Sequence, residues 1–148
     1  MKFMGKAVVA VAAVGLAAGS AIGAGTADAA GLYGAIAFSH DDWAYGRSVN
    51  ALSAAEAQVA AIEDCASGGS ADCRVMVTWA NGCGALVYRN DHSDYLAVGT
   101  GTGRDRADAL RNAYDSLAEV YPQAMLANVG SADLSATAIS EVVCTANA

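Results

Sequence analysis

Few side chains in this 148-residue chain are equipped for chemistry: four cysteines, two histidines and the acids beside them. A thiolate next to an imidazole is an activated nucleophile, so Cys83 with His40 or His92 is one enzyme arrangement the residues permit. Cysteine and histidine together also ligate zinc, but the gaps separating Cys65, Cys73 and Cys83 are longer than the short knuckles of structural zinc sites. The turns His40-Asp41-Asp42 and Asp91-His92-Ser93-Asp94 offer acid/base pairs or a weak calcium site. Neither has the spacing of a calcium-binding loop, and polar residues in hairpin turns need no chemistry to explain them. Gly99-Thr100-Gly101-Thr102-Gly103 falls between a strand and a helix, as a phosphate-binding loop would, yet lacks the dinucleotide fingerprint and reads as a flexible connection. Trp43, Tyr45, Trp79, Tyr88 and Tyr95 could form a glycan- or protein-binding face. With two Trp, two Phe and six Tyr in the chain, they are read instead as core bulk among many alanines. No catalytic, cofactor-binding or metal-binding residue is assigned.

The first residues set the redox context for those cysteines. Lys2 and Lys6 precede and open an apolar run of Ala, Val, Leu, Ile and Gly that closes on the small-residue site Ala27-Asp28-Ala29. That is the pattern of a secretory signal peptide over residues 1–29, with a single domain following over 30–148. Cleavage leaves a chain without lysine, whose cations are Arg47, Arg74, Arg89, Arg104, Arg106 and Arg111. Schiff-base chemistry and a P-loop are thereby excluded. The net charge of −7 and pI near 4.5 argue against nucleic acid and against an anionic membrane surface as partners. An even number of cysteines in an exported chain predicts two disulfides rather than reactive thiols.

An internal repeat supplies the pairing and the elements. Gly34-Ala35-Ile36-Ala37-Phe38 recurs as Gly84-Ala85-Leu86-Val87-Tyr88, and Ser53-Ala54-Ala55-Glu56-Ala57 as Asp105-Arg106-Ala107-Asp108-Ala109. Both of the latter are helix starts, with an N-cap oxygen and an acid three residues on. The first half reads as strands Tyr33 to Phe38 and Trp43 to Val49, a helix from Ala54 to about Ala66, and a strand from Cys73 to Trp79. The second reads as strands Ala85 to Tyr88 and Tyr95 to Gly99, a helix from Arg106 to about Val120, and a strand from Thr137 to Cys144. Asn128 to Leu134 has no counterpart and is taken as an insertion or long loop. The repeat sets Cys65 opposite Leu117 and Cys73 opposite Met125, so two cysteines are replaced together by apolar residues. This pairs Cys65 with Cys73 and, by exclusion, Cys83 with Cys144.

The leader, the Gly34 to Phe38 strand followed by Trp43-Ala44-Tyr45-Gly46, the helix ending at Cys65, Cys73-Arg74-Val75, and Asn81-Gly82-Cys83-Gly84-Ala85-Leu86 together resemble the domain of unknown function family 4189. The resemblance runs from about Leu32 to Cys144. It implies a small secreted bacterial protein, often actinobacterial, with no established activity and no site residues to carry over. The second half departs from the family, which often has a further cysteine pair where Leu117 and Met125 stand. The expected fold is α+β and disulfide-stapled: two strand-strand-helix-strand halves in one mostly antiparallel sheet or two packed sheets, with two helices against it. The expected function is a non-enzymatic binding module, secreted or in the cell envelope, with an unknown protein or envelope component as partner. No cofactor is expected, and no membrane contact after cleavage. A small extracellular hydrolase or an enzyme inhibitor is the alternative.

Overall fold

Both helix starts form as their sequences dictate. Ser53 caps α1 (Ala54–Ala66), its side chain accepting the Glu56 N–H at 3.2 Å, and Asp105 caps α2 (Arg106–Ala118), accepting the Asp108 N–H at 2.9 Å. Glu56 also reaches back to accept the Leu52 N–H at 3.1 Å. The chain leaves α1 through Ser67 and a left-handed Gly69 at φ 100°. Beyond α2, Pro122 opens a 3-10 turn that leads into α3 (Met125–Asn128) and α4 (Ala132–Ser135). The segment read as an insertion is therefore partly helical. The structure, a computed structural model, describes residues 31–90 and 96–148. The signal-peptide reading of residues 1–29, the Asp91-His92-Ser93-Asp94 turn and Tyr95 lie outside the described residues.

Among the described residues, six strands form two antiparallel sheets of three. β1 (Tyr33–Phe38), β2 (Tyr45–Ala51) and β3 (Arg74–Ala80) lie in the order β2-β1-β3; β4 (Cys83–Arg89), β5 (Val98–Gly103) and β6 (Thr137–Cys144) lie in the order β5-β4-β6. The architecture is α+β, and the antiparallel strands are divided between two packed sheets. A strand also differs from expectation. The glycine-rich stretch Gly99 to Gly103 is no loop: it is the body of β5, paired with β4 from Tyr88↔Val98 to Cys83↔Gly103.

Side-chain size explains both the division and that displaced strand. Residues alternate faces along each strand. On β1, Ala35 and Ala37 face α1 and pack with Ala57, Ala61 and Cys65, spaced four apart on that helix. On β4, Ala85 and Val87 pack with Ala109, Ala113 and Leu117 of α2. The opposite faces carry the bulk, and Ile36, Phe38, Trp79 and Leu86 fill the space between the sheets. The layers thus run helix, sheet, sheet, helix. The helices come down to backbone contact where the strand offers only glycine. A Cβ built on Gly101 would stand 2.3 Å from the Ala113 N, one on Gly99 2.3 Å from the Ala113 O, and one on Gly46 of β2 2.0 Å from the Cys65 N. Glycine in β5 is therefore a packing requirement, and the usual reading of glycine as a strand breaker fails there.

Two disulfides and the chain end tie the layers. Cys65–Cys73 joins the last turn of α1 to the residue before β3, and Cys83–Cys144 joins directly paired residues of β4 and β6. These are the partners inferred from the repeat. Their sequence separations of 8 and 61 correspond, in the loop-entropy picture, to about 2.5 and about 4 kcal/mol. After β6, Thr145 donates its N–H to the Gly82 O at 2.9 Å and Ala146 donates to the Asn50 Oδ1 at 2.7 Å. The tail thereby contacts both halves.

Two stability measurements check this account. Gly101→Ala forces α2 away from β5 and is expected to cost about 1–3 kcal/mol in denaturant unfolding. Gly68→Ala, where a Cβ meets nothing within 4 Å, should stay within about 0.5 kcal/mol. Replacing Cys83 and Cys144 together by alanine should lower the thermal midpoint more than replacing Cys65 and Cys73.

Candidate functional site

The β1–β2 hairpin turn is the most elaborately held loop among the described residues, and it begins with a buried polar group. Ser39 is fully buried. Its N–H donates to the Ala44 O at 2.8 Å, closing the turn, and its Oγ accepts the Asp42 N–H at 3.1 Å. The same hydroxyl donates to the Asp72 Oδ1. The other carboxylate oxygen, Oδ2, accepts the N–H of His40 at 2.8 Å and of Asp41 at 3.2 Å. One carboxylate thus binds three consecutive residues and reaches a fourth, Asp42, through the Ser39 hydroxyl, and the Cys65–Cys73 bridge fixes that carboxylate by its neighbour in the chain. The Ser39 hydroxyl, followed by the backbone N–H donors, holds the Asp72 carboxyl below the ordinary carboxylate range, against an opposing desolvation.

The turn delivers Trp43. This residue has φ 55°, a left-handed backbone that a bulky aromatic rarely adopts, and it is 52% exposed. Its ring meets Phe38 edge-on at 6.1 Å and Tyr88 edge-on at 5.6 Å, while the His40 ring meets Phe38 at 5.2 Å. Phe38 and Trp43 belong to the first sheet's hairpin and Tyr88 to β4, so the aromatic group crosses the seam between the sheets. Tyr45, at the start of β2, is 46% exposed. Further along β2, Arg47 reaches across to Glu141 of β6 at 2.6 Å, and its N–H is covered by the Asp64 carboxylate at 2.8 Å. The free edge of β2 is thereby blocked at that residue, which limits strand addition there.

These positions correct one reading of the aromatics. Trp79 is buried and Tyr88 half-buried, but Trp43 and Tyr45 are not core residues. The alanine and glycine interfaces bring the helices so close that the core needs less aromatic volume than composition suggests. His40, Asp41 and Asp42 do occupy one turn, with the hydrogen bonds of that turn made by backbone N–H groups. The four cysteines are all bonded and no free thiol exists. Among the described residues no group of three or more His, Cys, Asp and Glu is placed to hold a metal ion. Asp72 was not legible: it stands alone in Ser70-Ala71-Asp72-Cys73, and only its place beside a cysteine hints at a fixed carboxylate. Chemically, the arrangement presents rigid, half-exposed ring faces bordered by carboxylates and an imidazole. It offers no accessible nucleophile at Ser39, whose oxygen is buried and engaged on both sides.

The pH response of the turn follows from Asp72. A carboxyl whose folded value is depressed stabilises the fold above its unfolded value and loses that contribution as pH falls through the folded value. The thermal midpoint should therefore drop on acidification below about pH 4, and Asp72→Asn should lower the midpoint at neutral pH while flattening that part of the profile. A wild-type and variant profile of the same shape would contradict this assignment.

Compared with known proteins, the chain matches the family described as Domain of unknown function (DUF4189) over residues 33–129. No curated protein and no solved structure matches it. The family description carries nothing about source organism or activity.

Proposed function

We propose, for a chain that belongs to the DUF4189 family, the role of an exported, non-enzymatic binding module that engages an extracellular or envelope macromolecule through its aromatic shelf. The observation that carries this reading is the half-exposed pair Trp43 and Tyr45, edge-packed onto Phe38 and Tyr88 and held by the Asp72 turn. Large rings on a pre-ordered frame are the kind of anchor that dominates binding energy, because little side-chain entropy is lost on association. Trp43 holds a left-handed backbone of the kind often found at functional residues, inside a turn closed by the Ser39 N–H to Ala44 O hydrogen bond.

Export is supported by the leader-like residues 1–29 and by two closed disulfides; no helix among the described residues is long and apolar enough to cross a membrane. The matching strand orders of the two sheets, and the matched faces Ala57, Ala61, Cys65 and Ala109, Ala113, Leu117, support an origin of the domain in a repeated unit. The alternative, a small hydrolase, needs an accessible nucleophile beside a base; the engaged Ser39 hydroxyl and the bonded cysteines argue against it.

The test is capture by the oxidised protein from residue 30 onward of components of envelope and extracellular extracts, compared with Trp43→Ala and Tyr45→Ala. Each variant should keep the wild-type fold by circular dichroism and lose binding about 10- to 100-fold. Capture that both variants retain in full would remove the shelf from the binding surface. Turnover of an ester, peptide or glycoside substrate by the wild type would replace the reading with the enzyme.

A further inference from the structure

The backbone link between the two sheets contains a reactive dipeptide. β3 ends at Ala80 and β4 begins at Cys83, so Asn81 and Gly82 are the whole of that link. Of the asparagines in the chain, only Asn81 is followed by glycine. In such a pair the glycine nitrogen can turn onto the asparagine side-chain carbon Cγ, because no Cβ hinders it, and expel ammonia. The fold dictates both residues. Asn81 holds a left-handed backbone at φ 51°, which asparagine tolerates better than most residues, and a Cβ on Gly82 would stand 2.4 Å from the Gly103 O. A labile pair therefore stands where the link must be tight.

The two partners of that reaction are held in opposite ways. The amide oxygen of Asn81 accepts from the Leu32 N–H at 2.9 Å and from the Asn147 side chain at 2.7 Å. These donors draw electron density from Cγ and would receive the negative charge of an addition there. The nucleophile is locked. The Gly82 N–H donates to the Thr145 Oγ1 at 3.0 Å, while the Gly82 carbonyl accepts from the Thr145 N–H at 2.9 Å and from its hydroxyl at 3.2 Å. Both residues are buried. A nitrogen whose proton is kept in a buried hydrogen bond, in a peptide clamped at both its N–H and its following carbonyl, does not present a lone pair to Cγ. The clamp is set by the Cys83–Cys144 bridge, since Cys83 follows Gly82, Cys144 precedes Thr145, and the two cysteines are paired directly.

We propose that Asn81 is a latent self-modification site kept closed by Thr145 of the carboxy-terminal tail. When Thr145 is withdrawn, the Gly82 nitrogen bonds to Cγ, the Cγ–Nδ2 bond breaks, and the Gly82 proton leaves with the amide nitrogen as ammonia. Water then opens the cyclic imide to aspartate or isoaspartate. Either product places a new carboxylate in the link, and isoaspartate also lengthens the backbone between β3 and β4. Reduction of the Cys83–Cys144 bridge and trimming of the residues after Cys144 both release the clamp. The site is separate from the shelf at Trp43, so either can fail without the other.

The test follows isoaspartate at position 81 by peptide mapping in the oxidised protein from residue 30 onward, held in mildly alkaline buffer. The folded wild type should form it more slowly than the same chain reduced and unfolded in urea, by about tenfold or more, and that comparison needs no variant. Thr145→Val, which removes the hydroxyl at nearly constant shape, should accelerate the reaction about three- to tenfold with an unchanged circular dichroism spectrum. Thr145→Ser should restore the wild-type rate. Asn112 and Asn128 serve as witnesses, and their conversion should stay at the wild-type level throughout. Equal rates in wild type and Thr145→Val, a folded wild type that converts as fast as the unfolded chain, or a rise at position 81 matched at Asn112 and Asn128 would overturn the proposal.

Discussion

The structure depends on how closely its helices approach its strands. A helix reaches backbone contact with a sheet only where both surfaces lack side chains beyond a methyl group. Here Ala57 and Ala61 on α1, and Ala109 and Ala113 on α2, meet strands that present Gly46, Gly99 and Gly101. Such an interface buries little apolar area per residue, and a domain of this size gains correspondingly less from it than from a core of leucine and phenylalanine. The covalent bridges stand where that deficit is felt. One secures the end of α1, and the other secures the pairing of β4 with β6, the strand farthest along the chain.

The same economy redistributes the large residues. With the outer face of the first sheet committed to alanine and glycine, and only Val87, Leu117, Tyr121 and Val142 adding bulk on that of the second, the large residues of the first half gather in the seam, where Ile36, Phe38 and Trp79 lie with Leu86. The seam is narrow at Gly34 and Gly84, which accept the flat indole of Trp79. At the opposite end Phe38, Trp43 and Tyr88 continue the packed rings outward into solvent. The exposed aromatics are thus the outward continuation of the inter-sheet layer. Their rigidity comes from that layer and from the Asp72 carboxylate that orders the turn beneath them.

Much of this was legible in the chain. Ser53 and Asp105 mark the helix starts within one residue because capping is local chemistry that tertiary packing rarely overrides. The repeated Gly-Ala segments locate β1 and β4, and the paired loss of two cysteines at Leu117 and Met125 points to the partners that are bonded. What was not legible depends on distance between elements. Gly99 to Gly103 reads as a connection after a strand ending at Gly99 because glycine disfavours strands, and only the helix lying on it makes glycine necessary. The exposure of Trp43 and Tyr45 could not be inferred from composition, since the volume the core requires depends on how near α1 and α2 come. Asp72 acts on residues more than thirty positions away, and no periodicity or motif connects them.

The two bridges differ in when they can close as well as in what they hold. Cys65 and Cys73 are neighbours along the chain, and every element of the first sheet precedes Cys83. A polypeptide emerging amino end first can therefore present every strand of that sheet and both partners of its bridge before Cys83 appears. The second sheet has no such autonomy. Its central strand β4 lacks one neighbour until β6 arrives, and Cys83 lacks its partner until Cys144 does. The last residues of β6 consequently act as a seal on synthesis: a chain cut short before them carries an unpaired strand edge and a lone sulfhydryl, two features that quality-control proteases and oxidoreductases recognise.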